Sequence, residues 1–269
     1  MKLRTYCSKA IPISQTRTFN TILSLQRAAL TAFIVMAGTN AVAGAMSLFN
    51  RIQEPGSWKG VYIGAQLGTS WNRTNWQYTN PNYFNTLGPV ILGNNFNFRS
   101  NGVAGGGNLG FNYQNGPLVL GLEGSVLGVD LEDKIMSPFF PTVDVYTSNV
   151  HWVATVKGRA GYACEKLLVY IDGGWAGGDT SLTLLDTEGN IRANSRLWAN
   201  GWTAGAGADY KLTANLALGV AYDFIRLNVN NKSISCPSCG TGVGLGTPSV
   251  DGQIKIQAVT ARLNYLFNL

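Results

Sequence analysis

The sequence predicts an all-β fold, an eight-stranded antiparallel transmembrane β-barrel with short periplasmic turns and long extracellular loops. Three observations predict it. Apolar residues alternate with small or polar ones at period two, in eight separate segments. The connections between those segments are alternately tight and long. Aromatic residues gather at both ends of the apolar faces, where lipid would meet water. Composition agrees: 45% of residues are apolar and only 13% charged, against about 25% in soluble domains. No segment of the mature chain approaches 18 consecutive apolar residues, so no transmembrane helix is expected.

The formal charge is +6, and almost all of it belongs to the leader. Residues 1–43 contain Lys2, Arg4, Lys9, Arg17 and Arg27 and no acid, and the remaining chain has 15 basic and 14 acidic residues. No nucleic-acid partner is implied. The leader has a basic region ending at Arg27, an apolar stretch from Ala28 to Ala37, and small residues that fit cleavage after Ala43 or Ala45. Residues 1–43 are therefore expected to be a signal peptide, 44–57 a periplasmic lead-in, and 58–269 the barrel. The alternative, an uncleaved anchor, would need roughly 20 apolar residues.

The strands follow in order. The first runs from about Gly60 to Trp71, with Val61, Ile63, Ala65, Leu67 and Trp71 on its apolar face. The second runs from about Gly102 to Gln114, and Asn115-Gly116-Pro117 makes a tight turn. In the third, Leu118, Leu120, Leu122 and Val126 face out and Glu123 faces in. The fourth spans about Val150 to Tyr162, with Lys157 and Arg159 on its inner face; a short turn at Cys164–Lys166 leads to the fifth, where Val169, Ile171 and Trp175 oppose Tyr170 and Asp172. The sixth sets Trp202, Ala204, Ala206, Ala208 and Tyr210 against Gly205, Gly207 and Asp209. Across the turn Leu212–Asn215, the seventh sets Leu216, Leu218, Val220, Tyr222 and Phe224 against Asp223. The last runs to the C-terminus, with Arg262 facing in. In a soluble barrel the apolar face would be the inside and the other face would carry many charges; here that other face is mostly glycine, alanine, serine and threonine, which suits a narrow lumen.

The opening WKGVYIGAQLGTSW, the block GWTAGAGADYKLTANLALGVAYDF and the ending ARLNYLFNL resemble the outer-membrane immunogenic protein family of small porin-like bacterial barrels. The resemblance covers the chain from Trp58 onward, except the long loops. It implies an eight-stranded barrel and a surface-exposed antigen; some members of that family are described as haemin-binding or as weak pores. This chain departs from the family in ending on Asn268-Leu269 after Phe267, and in placing cysteines in loops. The last strand keeps its parity, so it is expected to engage the barrel-insertion machinery.

Seven charges share the inner face: Glu123, Lys157, Arg159, Asp172, Asp209, Asp223 and Arg262. Unpaired charge in a water-poor interior is costly, so they are expected to form an ion-pair network that seals the barrel. The alternative is a charged pore lining, but eight strands enclose space for side chains only. His151 is the one histidine of the chain and is placed at the outer rim on the inward parity. Nucleophilic catalysis would need a serine and an acid beside it, and no spacing argues for them, so no enzyme is expected. Gly105-Gly106-Gly107-Asn108-Leu109-Gly110 fits a dinucleotide fingerprint, but a strand continues where a helix is required. Cys236-Pro237-Ser238-Cys239 lacks further metal ligands and reads as a small disulfide between Cys236 and Cys239, which leaves Cys164 over. No metal or cofactor is expected.

The first loop, about residues 72–101, interleaves aromatics with asparagines. Trp76, Tyr78, Tyr83 and Phe84, with His151, are the candidate contacts for a small ligand such as haem. The expected partners are outer-membrane lipid, the insertion machinery, and a small ligand at the loops.

Overall fold

The computed structural model describes residues 57–80, 82, 95–137, 144–186, 191–236 and 246–267. The expected signal peptide, nearly all of the lead-in, and Tyr83, Phe84 and Cys239 lie outside the described residues.

Eight strands make up almost all of the described chain: β1 Gly60–Asn80, β2 Asn95–Asn115, β3 Leu118–Met136, β4 Asp144–Cys164, β5 Leu167–Asp186, β6 Ile191–Lys211, β7 Leu216–Ser233 and β8 Ser249–Phe267. Each pairs antiparallel with its sequence neighbour, and β8 closes on β1. The register is staggered. A row of paired residues followed from Arg99 through Arg73, Lys255, Arg226, Trp202, Trp175, Val156 and Gly124 returns to β2 at Leu109, ten residues along from where it began. Such a stagger tilts the strands against the barrel axis and sets a lumen that side chains can fill. So narrow a barrel curves sharply, and glycine supplies the close approach: a Cβ on Gly68 would run into the Val259 carbonyl, and one on Gly201 into the Arg226 carbonyl.

The tight turns all lie at one end. Gly116 takes a positive φ of 58° in the first, and Glu165 one of 51° in the second. In the third, Leu212 donates its N–H to the Leu216 carbonyl at 2.8 Å. From this end upward the wall presents exposed aliphatic side chains, including Ile63, Leu109, Leu120, Leu122, Val156, Ile171, Leu218 and Val220. Tyr113, Tyr162, Tyr210 and Phe267 ring this band at the turn end, and Trp175, Trp202 and Tyr222 ring it at the other. Exposed aliphatic wall between two aromatic girdles is the surface a barrel shows to a bilayer. Among the described residues no helix is long and apolar enough to cross a membrane.

The strands do not stop at the upper girdle, and here the structure corrects the sequence reading. The segments expected as long loops are largely strand: β1 continues to Asn80 and β2 starts at Asn95, within what was expected to be a loop from 72 to 101. Beyond the girdle the polarity inverts. Trp76, Tyr78, Phe98, Leu131, Val150, Leu182, Leu227, Ile254 and Ile256 point inward into one apolar cluster and are almost fully buried. Arg73, Asn97 and Lys255 face out and are exposed. The rings of Phe96 and Tyr146 stack at 5.0 Å, and the Tyr78 and Tyr146 hydroxyls lie 3.0 Å apart. Above the lipid boundary the surroundings are aqueous on the outside, so the hydrophobic effect moves the apolar face inside.

Candidate functional site

The seven charges of the inner face lie in one layer of the lumen, within the membrane band. They sit on six strands, and the register brings them level: Glu123 pairs with Lys157, Arg159 with Asp172, and Arg262 faces Gly219. The glycines between them make room for the long side chains. A Cβ on Gly219 would strike the Asp209 carboxylate, and one on Gly205 would crowd Asp172 and Asp223.

Glu123 is the centre. Its carboxylate meets Arg262, Lys157 at 3.6 Å and Arg159 at 3.6 Å. Lys157 also reaches Asp172 at 3.2 Å and Asp223 at 2.7 Å, while Arg159 reaches Asp209 at 3.2 Å. All seven charges therefore fall in one connected cluster of four carboxylates and three cations. Six of them are nearly inaccessible; Asp223 is slightly more open. Two tyrosines complete the layer, and the charge count alone missed both. Tyr62 donates its hydroxyl to Glu123 at 2.7 Å and accepts from Arg159 at 2.7 Å. Tyr170 accepts from Arg262 at 2.9 Å, and its ring lies under the Arg159 guanidinium at 3.7 Å. Both already stood on the inward parity beside Gly64 and Asp172, which was the available signal.

Apolar or aromatic packing closes the layer on both sides. Towards the turns, Trp58, Val119, Leu168, Ala217 and Leu266 are buried together with the two tyrosine rings. Trp58 draws the start of the described chain into the turn-end mouth, and Lys211, just past the Tyr210 girdle, lies with its ammonium 5.1 Å from that indole ring. Lys211 donates to the Ser57 and Ala214 carbonyls, and burial pulls its pKa down to about 8. On the other side a shell of hydroxyls that includes Ser125 and Thr155, 2.8 Å apart, leads into the apolar cluster of the extension.

The candidate loop contacts fall elsewhere than expected. Trp76 and Tyr78 are strand residues inside the extension, with exposures of 0% and 1%; the Trp76 indole donates to Ser148 at 3.3 Å. They face inward because β1 keeps its alternation past the girdle, so neither is presented on a loop. His151 is exposed and not inward. It is the extra residue where the β4–β5 register skips from Val150 to Trp152, and a bulge of this kind reverses parity. Its Nε2 lies 3.3 Å from Ser181 Oγ. The nearby Asp179 carboxylate is engaged by the Arg196 guanidinium through Nε at 2.8 Å and through Nη2, which holds that acid below its usual range. A serine does stand beside the histidine, but the acid is spent on Arg196. Cys236 is disulfide-bonded, and so is Cys164, which the expected odd count had left over. Among the described residues no His, Cys, Asp and Glu cluster is placed to hold a metal.

Comparison with known proteins supplies the frame for this geometry. Residues 28–267 match the family described as "Outer membrane protein beta-barrel domain". The chain is 28% identical to the 31 kDa outer-membrane immunogenic protein of Brucella melitensis biotype 1, over 78% of this chain and 84% of that one. It is 27% identical to the 25 kDa outer-membrane immunogenic protein of Brucella abortus biovar 1, over 66% and 70%. Among solved structures, the outer membrane protein OprG from Pseudomonas aeruginosa aligns over 81% of this chain and all of its own, at 14% identity and a TM-score of 0.45.

Proposed function

The chain belongs to the outer membrane protein beta-barrel domain family and resides in the outer membrane, and from that premise we propose that it is a non-catalytic, surface-exposed structural barrel whose lumen is closed by its own charges. One observation carries the reading: Glu123 gathers Arg262, Lys157 and Arg159 in the middle of the membrane band. A pore lining would hold its charges against water, with like signs facing a channel. Here opposite charges face each other across a lumen of eight strands, and apolar packing lies above and below them. The ligand-binding alternative has less to stand on, because Trp76 and Tyr78 are committed to internal packing. At the His151–Ser181 contact the nearby acid, Asp179, is held by Arg196, and a nucleophile needs an acid free to orient its base.

Electrical recording tests the proposal. The purified barrel in a planar bilayer is expected to show no steady conductance. A double Arg159→Ala, Arg262→Ala variant, which removes the two largest side chains of the layer, is expected to pass ions. A wild-type barrel that opens stably would sink the sealed lumen and restore the pore.

A further inference from the structure

Four basic residues lie side by side on the outer wall, each directly paired with the next across a strand boundary. Arg226 of β7 pairs with Lys255 of β8, Lys255 with Arg73 of β1, and Arg73 with Arg99 of β2. All four lie on the outward face; Arg73, Arg99 and Lys255 are exposed and Arg226 is partly so. At the usual strand spacing the row is about 14 Å long. Its position is specific. The next residue in the same row, on β6, is Trp202 of the upper girdle, and Trp71 stands two residues below Arg73 on the same face. The register descends from β2 toward β6, so the row climbs obliquely from the lipid boundary into the headgroup zone.

Like charges set directly opposite each other in a sheet destabilise it. None of the four forms an ion pair with a described carboxylate. Two other cations of the extension are neutralised, Arg196 by Asp179 and Lys134 by Glu132 at 2.9 Å, while Lys232 stands alone outside the row among the described residues. Two acids stand near the row, Asp133 of β3 accepting from the Arg99 N–H at 2.7 Å and Asp251 of β8 accepting from the Asn231 N–H at 2.6 Å, and neither carboxylate is within ion-pair distance of a guanidinium or ammonium of the row. An unneutralised cationic row at the upper lipid boundary, continuous with an apolar wall below, matches an amphiphile with an anionic head above apolar chains.

We propose that the row Arg99–Arg73–Lys255–Arg226 is a docking site for the phosphate groups of an outer-leaflet lipid, whose acyl chains lie along the wall beneath. The inference rests on outer-membrane residence and not on the sealed lumen. Arginine suits the task because its planar fork bonds two phosphate oxygens at once. Trp202, adjoining Arg226 in the row, sits where the sugar and glycerol region of a headgroup lies.

The test uses the folded protein in neutral detergent, titrated with a bis-phosphorylated disaccharide lipid and with the same lipid after dephosphorylation. Bound lipid is counted by native mass spectrometry. Wild type is expected to prefer the phosphorylated form by about tenfold or more, as charge-assisted bonds require, and a quadruple Arg73→Gln, Arg99→Gln, Arg226→Gln, Lys255→Gln variant is expected to lose that preference. The heat-dependent gel shift verifies folding, and the R73Q/K255Q double variant gives an intermediate loss if the quadruple one fails to fold. In neutral detergent with no lipid added, the quadruple variant should be at least as stable as wild type, because only repulsion has been removed. Equal binding by wild type and variant overturns the proposal. So does equal binding of the dephosphorylated lipid, since the apolar wall alone would then account for it. Preference for a water-soluble sulfated oligosaccharide over the lipid overturns it in favour of a soluble polyanion.

Discussion

The two halves of this barrel obey opposite rules on the same eight strands. In the membrane half, Leu122 and Val156 face out while Glu123 and Lys157 face in. In the extension, Arg73 and Lys255 face out while Trp76 and Ile254 face in. In β1 and β8 the backbone alternation runs on unchanged, and only the side chains exchange places. In β4 a bulge at His151 makes the exchange, so that even-numbered residues which face lipid below face the core above. The pattern of a strand thus records its surroundings, and surroundings can change midway along it.

If the halves are held by different forces, they should fail differently. Removing the central carboxylate is expected to do most damage. Glu123→Ala strips Arg262 of its ion-pair carboxylate and leaves three buried cations facing one another, with only Asp172 and Asp223 at Lys157 and Asp209 at Arg159 still paired, at a cost of about 5 kcal/mol, the upper range for breaking a buried pair. Urea unfolding from lipid vesicles reads this, and an unchanged midpoint would show that the charges contribute little. Trp76→Ala is expected to cost about 4 kcal/mol, as large core truncations do. That loss should stay in the extension: hydrogen exchange should rise at β1 residues above Trp71 and hardly at all near Ile63, and a uniform rise would join the halves into one cooperative unit.

The outer wall gives a sharper contrast. Leu122→Arg, on the lipid face, is expected to cost about 2–4 kcal/mol, whereas Asn97→Arg, also outward but above the girdle, should fall within about 0.5 kcal/mol of zero. Similar costs at both sites would mean that the water boundary has been misplaced. The smallest effect concerns pH. Lys211, with a pKa lowered to about 8 from 10.5, makes the folded barrel hold fewer protons than the unfolded chain between those values. Stability should therefore rise with pH across that window, and a Lys211→Gln variant should lack the rise. Urea midpoints at two pH values, compared between the two proteins, measure it.

Much of the membrane half was legible in the sequence because both of its faces have a strict signature. The lipid face must be apolar, and a narrow lumen tolerates only small residues and matched charges, so alternation located every strand and the inward charges with it. The extension was legible in principle. Trp76 and Tyr78 stand at even positions among Arg73, Asn75 and Gln77, but that alternation has the opposite sense, and its asparagines and aromatics resemble a loop. His151 was misplaced because a bulge is an insertion of one residue, which local composition does not mark. The row from Arg226 to Arg99 was out of reach for another reason. Its members are scattered along the chain, and only the closed register makes them neighbours.

The inverted extension also bears on how this surface can diversify. Outward positions such as Asn75, Asn97 and Gln253 contribute no packing to the core, whereas the inward residues between them contribute all of it. Selection by an immune system would then find every second residue free to drift and every intervening one fixed, so variation among close relatives should run in stripes of period two along each strand. Relatives in which the Trp76 and Ile254 positions drift as freely as Asn75 and Gln253 would contradict this.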